Sequence, residues 1–274
     1  MALTALQASF SAGETTPRLR ARADLAGFAN GAARMRNMIV LRHGGATRRM
    51  GALHVAPAAA AGSPSRLAAY RIDADSEAIL EFGVGVLRLF EARDAAPSTL
   101  PAPYAQAHLP DLRMAQSGAD LWIVSGAHAP RVLRRTGPGA WSLFTPSLAN
   151  APFGPGSYPR AVGFFEQRLI FAGSAAHPQR LWFSRLGSYA DFTTGPLADD
   201  AITYTIASEE AGSLLWLSSQ KRLFAGSTDG VWVLDAYDPG AGVAPDNIAA
   251  RRHARIGAAR IAPRQVGGGL LFVE

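Results

Sequence analysis

The sequence predicts a mainly β protein, a β-propeller-like array of antiparallel hairpin blades preceded by a short, partly helical N-terminal platform segment. The first observation is a recurring unit in which a short apolar strand ends at a glycine and a turn leads into a second strand. In its clearest copy, 158–185, the apolar run 169–171 precedes Gly173 and a second run, 181–183, follows the turn. The other copies lie at 79–90, 121–133 and 223–234.

The second observation is the period of this unit. Its glycines Gly83, Gly126, Gly173 and Gly226 are 43, 47 and 53 residues apart. A hairpin-centred repeat of about 40–50 residues is typical of β-propeller blades. The apolar run 270–273 occupies the place of the first strand of a fifth unit, where it would expose an unpaired edge. We therefore expect the chain to be a piece of a longer protein, or the missing strand to come from another chain.

Composition limits the possible classes of protein. The 274 residues are 48% hydrophobic, enough for a sizeable buried core, and the 28 glycines and 18 prolines indicate many turns. The absence of cysteine excludes disulfides, a thiolate nucleophile and cysteine-based metal sites. No run of 18 apolar residues occurs, so the sequence predicts no membrane span.

We expect two regions, an N-terminal arm or platform segment at 1–50 and the propeller-like domain at 51–274. In the arm, Thr16 and Pro17 suit a helix start, and near-helical spacing of apolar residues predicts one or two short helices within 18–37. A strand over 39–41 and a basic, glycine-rich turn over 43–49 complete the arm.

Further strands are predicted in the second region, where apolar runs or period-two alternation occur. Proline-rich connectors are expected at 95–110 and 146–159. The predicted strands are 53–55, 67–72, 201–206 and 214–217.

The positive charge is almost wholly arginine, with Lys221 the only lysine. A GC-rich genome favours arginine, and arginine also suits bidentate pairing at subunit interfaces or contact with phosphate. Two clusters stand out. The first cluster consists of Arg18, Arg20, Arg22, Arg34, Arg36, Arg42, Arg48 and Arg49. Asp24 is the only acidic residue within that stretch of sequence. The second cluster consists of Arg251, Arg252, Arg255, Arg260 and Arg264.

The residues indicate no catalytic, metal-binding or cofactor-binding site, and we expect no enzyme. The six histidines are scattered, and no nucleophile elbow or Walker A motif occurs. The acidic doublets at 199–200 and 209–210, the acidic segment 73–77 and the glycines 267–269 are interpreted as turns. The aromatic residues of 164–192 could stack on bases, but their period-two placement favours a buried core.

Short motifs along nearly the whole chain resemble one protein family. In the N-terminal region they are 7–14 (QASFSAGE), 17–25 (PRLRARADL), 30–32 (NGA), 36–40 (RNMIV) and 44–49 (GGATRR). Later ones include 158–162 (YPRAV), 165–169 (FEQRL), 171–173 (FAG), 189–192 (YADF) and 199–202 (DDAI). In their joint order they resemble podovirus tail nozzle proteins, the tail tubular protein B family. Met50 stands where the family pattern has proline, and family members are much longer.

The resemblance implies a structural protein of the virion tail, assembled in the host cytoplasm. Six copies would form a ring or tube below the portal and adaptor that retains DNA and conducts it during ejection. The implied partners are other copies of the chain, adaptor and connector proteins, tail fibres or spikes, and genomic DNA in the lumen. We expect the subunit or adaptor contact at the first cluster, namely at Arg18, Arg20, Arg22, Arg34, Arg36, Arg48 and Arg49.

Two other classes of function stay open at this point. A soluble β-propeller enzyme or carbohydrate-binding module would need convergent polar groups, which the sequence does not show. A nucleic-acid-binding protein driven by its arginines would lose affinity steeply with salt.

Overall fold

The computed structural model describes residues 7–60, 62–92, 95–208, 210, 212–238 and 240–274. The chain divides into two units, Met1–Ala56 and Pro57–Glu274. Antiparallel sheets make up most of the regular structure, so the predicted mainly β class is confirmed.

The described residues of the N-terminal unit, 7–56, form four short strands. β1 (Gly13–Glu14) pairs in parallel with β2 (Gly31–Ala32). β3 (Met38–Val40) and β4 (Ala46–Arg48) form an antiparallel hairpin. The basic segment predicted as a turn over 43–49 is therefore partly strand.

The short helices predicted within 18–37 are wrong beyond one 3₁₀ turn, Pro17–Leu19. Thr16 and Pro17 do begin that turn. Beyond it, the backbone N–H groups of Arg22, Leu25 and Phe28 each donate to the carbonyl three residues earlier. The backbone therefore forms successive three-residue turns and not an α-helix, although the apolar residues are spaced in the sequence almost as in a helix.

In the second unit, the described residues form four four-stranded antiparallel sheets, each running in chain order from its first to its fourth strand. The first sheet is β5 (Arg66–Arg71), β6 (Glu77–Gly83), β7 (Val86–Phe90) and β8 (Ser98–Pro101). The second is β9 (Arg113–Ser117), β10 (Asp120–Val124), β11 (Arg131–Gly137) and β12 (Ala140–Phe144). The third is β13 (Ala161–Phe165), β14 (Arg168–Ala172), β15 (Arg180–Phe183) and β16 (Ile202–Thr205). The fourth is β17 (Leu214–Ser219), β18 (Leu223–Ser227), β19 (Gly230–Asp235) and β20 (Ala249–Ala254).

The four repeated hairpins of the sequence are the second and third strands of these sheets. The strands predicted at 67–72, 201–206 and 214–217 are confirmed, but 53–55 forms no strand. The connector predicted at 95–110 instead contains β8 and a 3₁₀ helix, Gln106–Asp111.

The chain continues into a last hairpin of β21 (Arg264–Val266) and β22 (Gly269–Leu271). The turn predicted at 267–269 is confirmed, since Gly267 and Gly268 both have positive φ and join these strands. The lone strand expected over 270–273 is corrected, because β22 pairs with β21.

The core lies between successive sheets. One buried cluster joins the first and second sheets, another the second and third, and another the third and fourth. Leu169 and Phe171 of β14 face the second sheet, whereas Ile170 between them faces the fourth. A strand buried on both faces is apolar at every position, which explains the continuous run in the sequence.

The aromatic residues of 164–192 are core residues rather than an exposed stacking platform. Phe171 and Trp182 are fully buried, and Phe192 packs against the Phe171 ring at a centroid distance of 5.6 Å. The first strands of the second, third and fourth sheets lie side by side, because β13 contacts both β9 and β17.

Candidate functional site

The N-terminal unit carries the net charge of the whole protein. It contains eight arginines but only two acidic residues, Glu14 and Asp24, which leaves a formal charge of +6. The second unit contains 19 basic and 19 acidic residues and is formally neutral. The charge is therefore a property of a segment of 56 residues.

The predicted interface arginines all have exposed side chains. Arg18 lies in the 3₁₀ turn, and Arg20 and Arg22 lie in the turns that follow. Arg34 and Arg36 occupy the segment between β2 and β3, whereas Arg48 ends β4 and Arg49 follows it.

The two acidic groups of this unit are already engaged. Asp24 accepts two hydrogen bonds from Arg22, at 2.7 and 2.6 Å, and this pairing lowers the pKa of the Asp24 carboxyl. Glu14 accepts from the backbone N–H of Met35 at 2.8 Å. Asp24 is therefore paired with one arginine, and Glu14 makes no ion pair with any described residue.

Most of the cluster has no counter-charge inside the unit. Arg20 donates to the Ala33 carbonyl at 2.8 Å and Arg49 to the Asn37 side chain at 2.9 Å, both uncharged acceptors. The remaining members make no side-chain hydrogen bond or ion pair with any residue the structure describes; these are Arg18, Arg34, Arg36, Arg42 and Arg48.

An apolar groove adjoins these charges. A cavity of about 430 Å³ is lined by Leu19, Leu25 and Phe28, with Arg22 and Glu14 at its border. The side chain of Phe28 is 43% exposed. Partly exposed apolar side chains beside arginine are typical of protein–protein interfaces. The spacing of these apolar residues predicts short helices, and the sequence gives no indication of the groove.

In the second unit, the structure separates the members of the second arginine cluster. Arg252 donates to Ser208 at 2.8 Å and to Asp229 at 3.1 Å. Arg260 pairs with Asp111 at 3.3 Å. The second arginine cluster therefore does not form one continuous charged surface.

A different set of arginines comes together in the second unit. Arg66 is the first residue of β5, Arg113 the first of β9 and Arg264 the first of β21, and Arg160 directly precedes β13. Arg66, Arg113 and Arg160 are each 47 residues apart, a spacing within the range of the glycine repeat. Applying the repeat to charged residues as well as to glycines would have found them.

These arginines border three cavities, of about 210, 380 and 600 Å³. Arg113 lines all three, Arg160 lines the smallest, and Arg66 and Arg264 line the other two. The 380 Å³ cavity is bordered by residues of β5, β9, β13 and β17, the first strands of all four sheets. Asp111 is the acidic residue that lines this system.

Arg113 is 7% exposed and has only carbonyl oxygens as partners among the described residues. Its guanidinium donates to Pro110 at 3.1 Å, to Leu112 at 2.9 Å and to Arg260 at 2.6 Å. Arg66 donates to the carbonyls of Leu109 and Pro110, each at 2.8 Å. Burial lowers the pKa of both arginines, because it disfavours the charged form.

The described residues contain no group of three or more potential metal ligands.

His108 Nδ1 and His128 Nε2 share a hydrogen bond of 2.9 Å. The two histidines are 20 residues apart in the sequence, which did not indicate that they pair. Burial and then His108 lower the pKa of His128. In the doublet at 199–200, both carboxylates face Arg185, at 2.7 and 3.4 Å.

No protein-family model matches the chain. No curated protein matches it. The resemblance to tail nozzle proteins therefore stays an expectation from the short motifs of the sequence. In the part of the chain that the structure describes, no helix has the length and hydrophobicity that a bilayer crossing requires.

Proposed function

We propose that this chain is a structural subunit of a phage tail, a nozzle protein that assembles into a ring through its N-terminal unit. The observation that carries the proposal is the net charge of +6 on that unit, formed by exposed arginines whose own unit supplies only two carboxylates. Such a surface gains opposite charge from a partner, and arginine forks pair with carboxylates in a defined orientation.

The adjoining groove favours a protein partner over nucleic acid. Most hydrogen bonds between proteins and DNA go to the phosphates and sugars of the backbone, and an apolar groove offers no donors for them. Leu25 and Phe28 would be covered by a second copy of the chain or by an adaptor protein. Identical subunits that pair head to tail close into a ring when the rotation between them allows it.

We further propose that the four sheets of the second unit are blades of a β-propeller-like domain. The support is that each sheet is a four-stranded antiparallel meander, that the core lies between consecutive sheets, and that β13 contacts both β9 and β17. Radially arranged meanders around their first strands are the architecture of propellers. The proposed location is the virion tail, with DNA passing through the lumen of the assembled ring.

The assembly state of the full chain tests the proposed interface. We compare a variant with Arg34→Gln, Arg36→Gln and Arg48→Gln with a control carrying Arg134→Gln, Arg180→Gln and Arg222→Gln in the second unit. Both variants lose three positive charges. If each lost pair contributes about 0.5 kcal/mol, the first variant assembles roughly tenfold more weakly, and the control assembles like the wild type.

Mass photometry and negative-stain electron microscopy measure the assembly, at several protein and salt concentrations. The proposal is supported if the wild type forms rings and if, of the two variants, only the first assembles more weakly. A wild-type chain that is monomeric throughout and absent from virions contradicts it. Tight binding to duplex DNA, with affinity falling steeply as salt rises, would instead favour a nucleic-acid-binding protein.

A further inference from the structure

The smallest of the three cavities combines several arginines with buried donors. Its volume is about 210 Å³, and its lining includes Asp111, Arg113, Ser125, Arg160 and Arg260. A single water needs only about 10–15 Å³ of such volume. The cavity therefore has room for a small polyatomic ion together with water.

Among the described residues, the arginines that line this cavity outnumber its acidic side chains. Asp111 is the acidic residue in the lining, and its two oxygens lie 3.5 and 3.3 Å from Nη1 of Arg260. Arg113 bonds only to carbonyl oxygens, and Arg160 makes no side-chain hydrogen bond or ion pair with any described residue. Among the described residues, three arginines and one aspartate thus line the cavity.

Two buried donors of the lining residues are also without partners. Nε of Arg113 and Oγ of Ser125 have no hydrogen-bond partner in the described structure, and the two residues are 7% and 9% exposed. Buried donors without acceptors are unfavourable, so a side-chain rotation that turned either donor toward an acceptor in the cavity would relieve that cost. Burial also lowers the pKa of Arg113, and the neighbouring Arg260 lowers it further, whereas Asp111 offsets part of this effect.

The loop beside the cavity makes room for Arg160. Gly126 has φ of +74°, and a Cβ there would lie 2.8 Å from Cγ of Arg160. Its N–H donates to the Pro159 carbonyl at 3.0 Å, which ties the loop to the residue before Arg160. Glycine at this position lets the Arg160 stem lie against the loop, so that the side chain borders the cavity.

We propose that this cavity is a binding site for a small oxyanion, either free phosphate or a carboxylate group, held by Arg113, Arg160 and Arg260 with Ser125. The inference depends only on the second unit and not on the proposed tail function. Guanidinium groups bind phosphate and carboxylate oxygens through paired N–H donors, and burial strengthens such contacts.

Isothermal titration calorimetry with the full chain tests the site. Inorganic phosphate and acetate are titrated separately, with sodium chloride keeping the ionic strength constant. We expect saturable binding of one ion per chain. Saturation by phosphate identifies a phosphate site, and saturation by acetate alone identifies a site for a carboxylate of another chain or segment. The proposal is overturned if neither ion gives a saturable signal up to roughly 10 mM.

Single-charge variants locate the bound ion. Arg160→Gln should weaken binding by about tenfold or more, which corresponds to about 1.4 kcal/mol. Arg222→Gln is the control, because Arg222 is 63% exposed, pairs with Asp235 and does not line the cavity. If Arg160→Gln does not fold, as judged by circular dichroism, Arg260→Gln replaces it, since the Arg260 side chain is 58% exposed. Equal weakening by the control and by the cavity variant would show adventitious surface binding and refute the site.

Discussion

Gly226 lies in β18, directly against the indole ring of Trp216 in the neighbouring strand β17. A Cβ at position 226 would overlap the ring atoms Cε2 and Cζ2 and lie 2.6 Å from Cδ2. Trp216 is 1% exposed and packs against Phe272 at a centroid distance of 5.9 Å, so the ring has little space into which it can move. Gly226→Ala should therefore destabilise the second unit.

The size of the effect follows from overpacking. Extra methyl groups in a well-packed core cost about 1–3 kcal/mol, and a direct overlap with a buried ring lies near the upper value. For a unit of this size, about 3 kcal/mol lowers the Tm by roughly 6–12 °C. Gly154→Ala is the matched control, because no atom lies within 4 Å of its added Cβ. We expect it to change stability by less than about 1 kcal/mol.

Thermal and urea unfolding, followed by circular dichroism and tryptophan fluorescence, measure both variants. A double-mutant cycle with Trp216→Leu tests the cause, because removing the ring removes the overlap. In the Trp216→Leu background, Gly226→Ala should cost at least about 1 kcal/mol less than in the wild type. The packing argument fails if the two glycine variants unfold within about 2 °C of each other, or if the cycle shows no coupling.

Two further variants probe buried polar contacts. Arg168 is 1% exposed and donates to carbonyl oxygens around the end of β15, including that of Ser184 at 2.8 Å. Arg168→Met should lower the free energy of unfolding in urea by about 3 kcal/mol, because it leaves these buried carbonyls without a donor. A decrease below about 1 kcal/mol would contradict this role. Glu91 accepts from Arg135 at 2.9 Å and from the Trp141 indole, and the Arg135 bond is the main cause of its lowered pKa. This lowered pKa stabilises the fold above the ordinary glutamate pKa of about 4.3 and ceases to do so as the pH falls through the lower folded-state value. Glu91→Gln should therefore flatten the fall in stability on acidification, and an unchanged pH slope would show that the Glu91 charge is unimportant.

The repeated hairpins could be predicted from the sequence because each depends on neighbouring residues. In β14 and β15, apolar side chains on both faces and a short turn between the strands are sufficient to indicate the pair. The edge strand β8 could not be predicted in this way. It ends in Pro101 inside a proline-rich segment, and it becomes a strand by pairing with β7. A proline at the end of an edge strand costs no ladder hydrogen bond.

In the N-terminal segment the sequence predicted regular structure, short helices, that the protein does not form. Leu19, Leu25 and Phe28 have a spacing close to that of a helix, but the backbone forms consecutive three-residue turns between β1 and β2. Hydrophobic spacing of three residues does not distinguish these backbone paths, and the parallel pairing of β1 with β2 is a long-range contact that local propensity does not contain.

The sequence by itself determined the β class, the hairpin repeat and the concentration of arginine before residue 50, since composition and local periodicity are properties of neighbouring residues. Only the tertiary structure placed Arg113, Arg160 and Arg260 around one cavity with Asp111. Arg113 and Arg160 stand at equivalent starts of two successive sheets, and Arg260 belongs to the connection that follows the fourth. Their proximity arises because β9, β13 and β17 pack side by side, and that packing is set by apolar contacts between sheets rather than by the arginines themselves.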